Sequence, residues 1–501
     1  MSQPAPTPDT FSVDDAWKPL PLGFWRVEEA QHWLRRVGFA APPEAVTAAL
    51  RTSPEKCWEA AFLPGGATMP KPEKLTEYEA SVHERYRAIY TSDADPMTKR
   101  EMRRELRRED NRLFRQYAMD WFHYARQPEH SPREKFVLFL QDIFVVERAT
   151  VKETHALFRL QQTLRMGCTG DYRELCKQVS KEPAMVRYLN LDKNTGRKPN
   201  ENFARELFEL FSLGEGNYSE ADIKEAARAF TGYRIKNRTD FFFQERLHDD
   251  GSKTVFGETG NWDGDDIIDI TFNQPAARTF LIRELIKFYL TDQPVPEPYI
   301  EALGEAWARH DFSLRYLCST FFQSRLFFHP AYRGNLVKSP TQFYLGLCQD
   351  LRLDVAPFDS RILRSMNVMG QSFYDPPNVR GWLYGAHWIN STTISGRRQL
   401  VDYLFTKLNE EKLNGNEQRA LKKARKAGRG EFLVTRERLR QVAETEADDL
   451  AAHFATYFLT PPFQSTYRPI LTEIIVEADN PTQGIRHAMI ALLQSPAYNL
   501  C

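Results

Sequence analysis

From Met97 to Gln127 the chain reads "MTKREMRRELRREDNRLFRQYAMDWFHYARQ", a run without Gly or Pro in which strong helix formers predominate. Such a stretch is read as one long helix, and its neighbours repeat the signal. "VEEAQHWLRRVGFAAPPEAVTAAL" gives two short amphipathic helices broken at Gly38 and at Pro42 and Pro43. "PREKFVLFLQDIFVVERATVKETHALFRLQQTLRMG" gives two more, whose wide apolar face predicts burial. Further helices follow at "QPAARTFLIRELIKFYL", "PYIEALGEAWARHDF", "LRYLCSTFFQS" and "SPTQFYLGLCQDLRL". The one convincing strand signal is "GYRIKNRTDFFFQERLHDDG", where aromatic and charged residues mix between turn formers, as in a hairpin over Tyr233 to Gln244.

The expected architecture is therefore all-α, a large multi-helix single domain with a minor β-hairpin. Residues 1–21 are rich in Pro and Ser and read as a disordered N-terminal segment. Residues 22–408 form the main helical domain, 409–432 a polar exposed insertion or linker, and 433–501 helices that return to the main body. No internal repeat occurs at the periods of solenoids.

Composition narrows the function classes. Sixty-seven Lys and Arg balance sixty-seven Asp and Glu, so no overall field draws the chain to nucleic acid or to an anionic membrane. The basic runs Lys99 to Arg115 and Arg419 to Arg429 read as solvated faces, and no nucleic-acid partner is expected. Six scattered cysteines with no C-x-x-C pair argue against a zinc knuckle or a disulfide framework. No run of about 18 apolar residues and no leader-like N-terminus is seen, so the chain reads as soluble and cytoplasmic, without a membrane span. There is also no G-x-S-x-G elbow, no H-E-x-x-H, no Walker loop and no dinucleotide fingerprint.

Three polar constellations remain. "PNENFARELFELFSLGEGNYSEADIKEAARAFTGYRI" predicts two consecutive helices joined by a short turn, the second opened by a capping box of Ser219 with Asp222 and closed near Gly232. On the first, Glu201, Arg205 and Glu209 share a stripe, with Asn202 and Glu206 beside it. Exposed, these residues are a salt-bridged outer face. Covered, they are an acid–base cluster in which Arg205 holds one carboxylate ionised while another is pushed upward, with Glu201, Arg205, Glu206 and Glu209 as catalytic candidates and Asn202 as a ligand contact. A divalent cation is one candidate cofactor for such oxygen ligands.

In "ERLHDDGSKTVFGETGNWDGDDIIDI", His248 and Asp249 are candidate metal ligands and Lys253 a candidate contact for an anionic ligand. Asx turns and helix caps are the plainer explanation of its Asp and Gly residues. "GQSFYDPPNVRGWLYGAHWINSTT" cannot continue a helix and must be a structured loop. Its Trp382 and Trp388 offer flat apolar faces, and Asn378, Arg380, His387 and Asn390 offer hydrogen bonds. Alternatively the loop plugs the core with its own tryptophans. The three constellations are expected to converge on one pocket.

The first of these stretches strongly resembles the signature of a bacterial family catalogued as domain of unknown function 1800. "GFAAPPEAV", "KEPAMVRYLN", "HDDGSKTVFG", "FHPAYRGNLVKSP" and "MGQSFYDPPNVRGWLYGAHWINSTT" resemble the same family in the same order, from about Gln31 to Gly396, with a weaker likeness at "IRHAMIALLQSPAY". The resemblance implies a mainly helical protein, often exported in relatives and often encoded beside a protein of alkaline-phosphatase-like fold, which makes such a protein a candidate partner. It implies no established reaction. Relatives usually carry a Trp-His-Asn-His-Phe-like string where this chain has Leu140, Gln141, Asp142, Ile143 and Phe144, so both histidines are missing. The leading expectation is a helical binding or assembly protein with a polar pocket. The alternative is a hydrolase of glycans or phosphate esters using clustered carboxylates.

Overall fold

The computed structural model describes residues 11–63, 68–442 and 447–501. Helices of 4 to 30 residues make up most of it, and the long Gly- and Pro-free run is a single helix, Pro96–Ala125, opened by Asp95, whose carboxylate accepts from the backbone of Met97 and Thr98. At the centre lies Ser131–Ile143. Phe136, Val137, Phe139 and Leu140 on it are wholly buried, which explains why its sequence is apolar on almost every side.

That central helix also carries charge into the core. Glu134 is fully buried, and Arg165 from Thr154–Gly167 meets it with two nitrogens at 2.5 and 2.6 Å while the Trp121 indole donates at 2.8 Å. Such a pair is strongly destabilising to break, on the order of 3–5 kcal/mol, because either partner alone would be an uncompensated buried charge. Lys135 points the other way and donates to the carbonyl oxygens of Arg35, Arg36 and Gly38, closing the end of helix Val27–Val37. Burial lowers its ammonium to about 7. From that same helix Arg36 donates to the carbonyls of Tyr289, Leu290, Tyr332 and Cys501 at 2.5–3.1 Å, tying its helix to three distant parts of the chain.

The expected hairpin is present as β1 (Tyr233–Lys236) and β2 (Asp240–Phe243), antiparallel, with Tyr233 opposite Phe243. Its turn places Asn237 and Arg238 at positive φ, and Arg238 is held there by Glu153. A second hairpin, β3 (Lys253–Val255) with β4 (Glu258–Gly260), lies in the Asp-rich loop that carries His248, Asp249 and Lys253. Three residues per strand give too little alternation to be seen in a sequence.

Two segments are attached more firmly than their composition suggests. The N-terminal segment is packed, not loose, from residue 11 onward: the Trp17 indole donates to the Tyr299 carbonyl, Leu20 N–H to Gln323, and Pro19 bridges Ser324. Residues 1–10 of that reading lie outside the described residues. The polar stretch 409–432 forms helix Gly415–Lys426, with Leu421 and Phe432 buried and Arg361 paired to Glu417 at 2.7 Å. A narrow apolar stripe in a highly charged helix was enough to dock it. The six cysteines are all unpaired, five of them buried.

Candidate functional site

The signature stretch begins as a regular helix, Asn202–Glu206, and then widens into a π-helical turn, Leu207–Ser212, in which Leu213 N–H reaches back to the Phe208 carbonyl at 2.8 Å. Phe203, Leu207, Phe208 and Phe211 are buried, so the apolar stripe is anchored. An α-helix would set Glu209 above Arg205. The wider turn moves it off that stripe, and π turns of this kind recur at functional positions.

The two ends of the helix consequently have different surroundings. At the first, Arg205 reaches across to Glu220 with two nitrogens at 2.7 and 2.8 Å and back to Glu201 at 3.3 Å, beside the Ser219–Asp222 capping box. At the second, Glu209 accepts from the Tyr218 hydroxyl at 2.7 Å and from Arg380 at 2.6 Å. Arg380 therefore takes the part that the sequence suggested for Arg205. It also pairs with Glu215. Glu206, between the two ends, is half-buried; burial and then the Glu209 charge raise its carboxyl above the usual range.

Arg380 belongs to the Trp-rich loop, which is fastened from below by Asp142. That carboxylate accepts from Trp382 N–H at 2.9 Å and from the Tyr384 hydroxyl, with no cation among the described residues paired to it. It is 8% exposed, and burial raises it to about 7. The loop can come this close only because Gly381 and Gly385 hold φ of +76° and +62°, where a Cβ would collide with the carboxylates of Asp142 and Asp292 respectively.

Between this loop, the end of the signature helix and the helices Ala277–Tyr289 and Glu297–Arg309 lies a cavity of about 1050 Å³. The last two helices are laced across it by Arg278 with Glu305 and Arg283 with Glu297, and Lys287 pairs with Glu284. Of the residues singled out in the sequence, Glu209, Arg380, Trp382 and His387 line it. Asn378 accepts from Arg380 N–H within the loop, Trp388 is buried, and Asn390 caps helix Ser391–Leu404 through Thr393 N–H. Glu201, Asn202, Arg205 and Glu206 are not in its wall.

The Asp-rich loop does not join them, so the expected convergence of three constellations reduces to two. Asp249 is taken up by Arg228 at 2.8 and 3.1 Å, His248 by Thr231, and Lys253 is buried against the Gly251 carbonyl and Asn261. These contacts fasten His248 and Asp249 to the C-terminal end of helix Glu220–Ala229 and leave both committed to protein partners. Among the described residues, no group of three or more His, Cys, Asp or Glu side chains is arranged to hold a metal ion.

Several residues of the cavity wall are not singled out by the sequence. Asp142 stands alone as a carboxylate in "FVLFLQDIFVV", and that isolation was the available signal. Arg283 and its neighbours sit on an ordinary amphipathic helix and gave none. Of Gln141, Asp142 and Ile143, which stand where the resemblance leads one to look for His-x-His, the last two form part of the cavity wall. No described helix is long and apolar enough to cross a membrane.

No match was found among curated proteins or among solved structures. A family model described as protein of unknown function (DUF1800) matches residues 32–500. With the signature helix, the Trp-rich loop and the C-terminal helices all inside that span, the chain belongs to the DUF1800 family.

Proposed function

We propose that the protein is a binding or assembly protein whose ligand seat is the cavity between the signature helix and the Trp-rich loop. One observation carries this reading: Arg380 joins the loop to Glu209, so two segments distant in sequence build one wall of a cavity large enough for a sizeable ligand. Its lining residues include no Ser or Cys. The test is capture of partners from the native host on immobilised protein. A partner retained by wild type and by Glu206→Ala, but released by Leu383→Asp at the cavity mouth, fits the proposal. Equal retention by the Leu383 variant overturns it.

A hydrolase reading draws on a separate observation. Glu206 and Glu209, three residues apart, stand in opposed environments: one has its carboxyl raised by burial, and the other is held by Arg380 and Tyr218. Activity on nitrophenyl phosphates or glycosides that disappears in Glu206→Gln supports it. Inactive protein, free of metal by elemental analysis, sinks it.

A further inference from the structure

We infer that the occupant of the cavity is a polypeptide segment of a partner protein carrying several Arg or Lys residues. This rests on the cavity being a binding seat and adds the chemistry of what it takes. Eight carboxylates line it against four Lys and Arg side chains, and every one of those four is already paired, as described above. The surplus is therefore of negative charge only. Asp142, Asp292 and Glu301 pair with no described cation.

Asp142 is the most telling of them. It is nine-tenths buried in the cavity wall and held only by neutral donors, the Trp382 amide and the Tyr384 hydroxyl. A buried carboxylate without a counter-charge is costly, and its oxygens retain lone pairs after accepting one bond each. Burial makes Asp142 costly to ionise, and a guanidinium or ammonium entering the cavity favours its ionised form and pairs with it. Exposed Asp292 and Glu301 offer further acceptors nearer the mouth.

The mouth distinguishes a peptide from a small polyamine. Leu383 is 63% exposed and Val379 37%, both on the fastened loop, with Trp382 beside them. Apolar surface of this kind suits the aliphatic stems of Arg and Lys and the apolar residues between them. At about 1050 Å³ the cavity also stands at the upper limit of small-molecule pockets, so a polyamine would leave the lip uncovered.

The full chain is titrated, following its tryptophan fluorescence, with the blocked hexapeptide Arg-Leu-Arg-Arg-Leu-Arg, with the same peptide carrying Glu for Arg, and with spermine. The Arg peptide is expected to bind, to weaken roughly tenfold in Asp292→Asn/Glu301→Gln and on raising salt from about 50 to 300 mM, and to outcompete spermine. Both substituted positions are exposed, and an unchanged thermal melt confirms that the variant is folded. Equal binding of the Arg and Glu peptides, or binding unmoved by the double variant, overturns the inference. Spermine matching the peptide overturns the polypeptide source. If an acidic partner is captured by wild type and released by Leu383→Asp, the cavity remains a seat but the cationic occupant is refuted.

Discussion

The two ends of the signature helix carry similar residues and meet different fates. At the N-terminal end Arg205 pairs back with Glu201 and outward with Glu220, which is 65% exposed. At the C-terminal end Glu209, at 18%, is covered by Arg380 and Tyr218 and faces a cavity. Nothing in the composition of the helix separates them. What separates them is a π turn and a loop that arrives from about 170 residues later. Charge on a helix becomes a site only where another part of the chain comes to lie across it.

That contrast can be broken from the covered side. Gly381→Ala places a Cβ at positive φ against the Asp142 carboxylate, and we expect a loss of about 3 kcal/mol in chemical denaturation, with the Trp-rich loop released. A variant as stable as wild type would show that the loop is not clamped.

Asp142→Asn is expected next in size and acts through pH. The carboxyl titrates near 3.8 when unfolded and near 7 when folded. Between these values the folded chain keeps a proton that the unfolded chain has released, so wild-type stability falls as pH rises from about 4 to 7 and is level above. Asparagine keeps the bond from Trp382 N–H and removes the titration. The variant should be more stable than wild type at pH 8, by on the order of 2 kcal/mol, and should show a flatter profile in denaturation midpoints measured from pH 4 to 8. A wild-type profile that rises over this range would contradict the burial argument.

The smallest effects sharpen the comparison directly. Arg380→Ala should cost about 1 kcal/mol, because half-covered Glu209 loses a charged donor, whereas Arg205→Ala should leave the unfolding midpoint unmoved, as solvated pairs usually do. Equal effects would mean that the two ends do not differ.

Much of the fold was legible because helices announce themselves locally. The run ending at Gln127, the capping box at Ser219 and the stop at Gly232 each need only their near neighbours. The site was legible by half. Glu209, Arg380, Trp382 and His387 stood out as polar or aromatic residues in unusual strings, yet the partner of Glu209 could not be read, since that depends on a long-range contact and on a π turn that no local pattern encodes. His248 and Asp249 are ambiguous for the converse reason: Asp and His beside Gly look alike whether they bind an ion or close a turn, and in the structure they bond to Arg228 and Thr231.

The Arg36 guanidinium, finally, bears on how the molecule is made. Its bonds to Tyr289, Tyr332 and Cys501 span 253, 296 and 465 residues, so this side chain finds its most distant acceptor only after 465 further residues have been made. Until then an Arg destined for the interior has to stay hydrated, which delays consolidation of helix Val27–Val37. A truncation that spares every residue of the cavity but removes this acceptor should therefore fold poorly, with its defect far in sequence from the helix that suffers it.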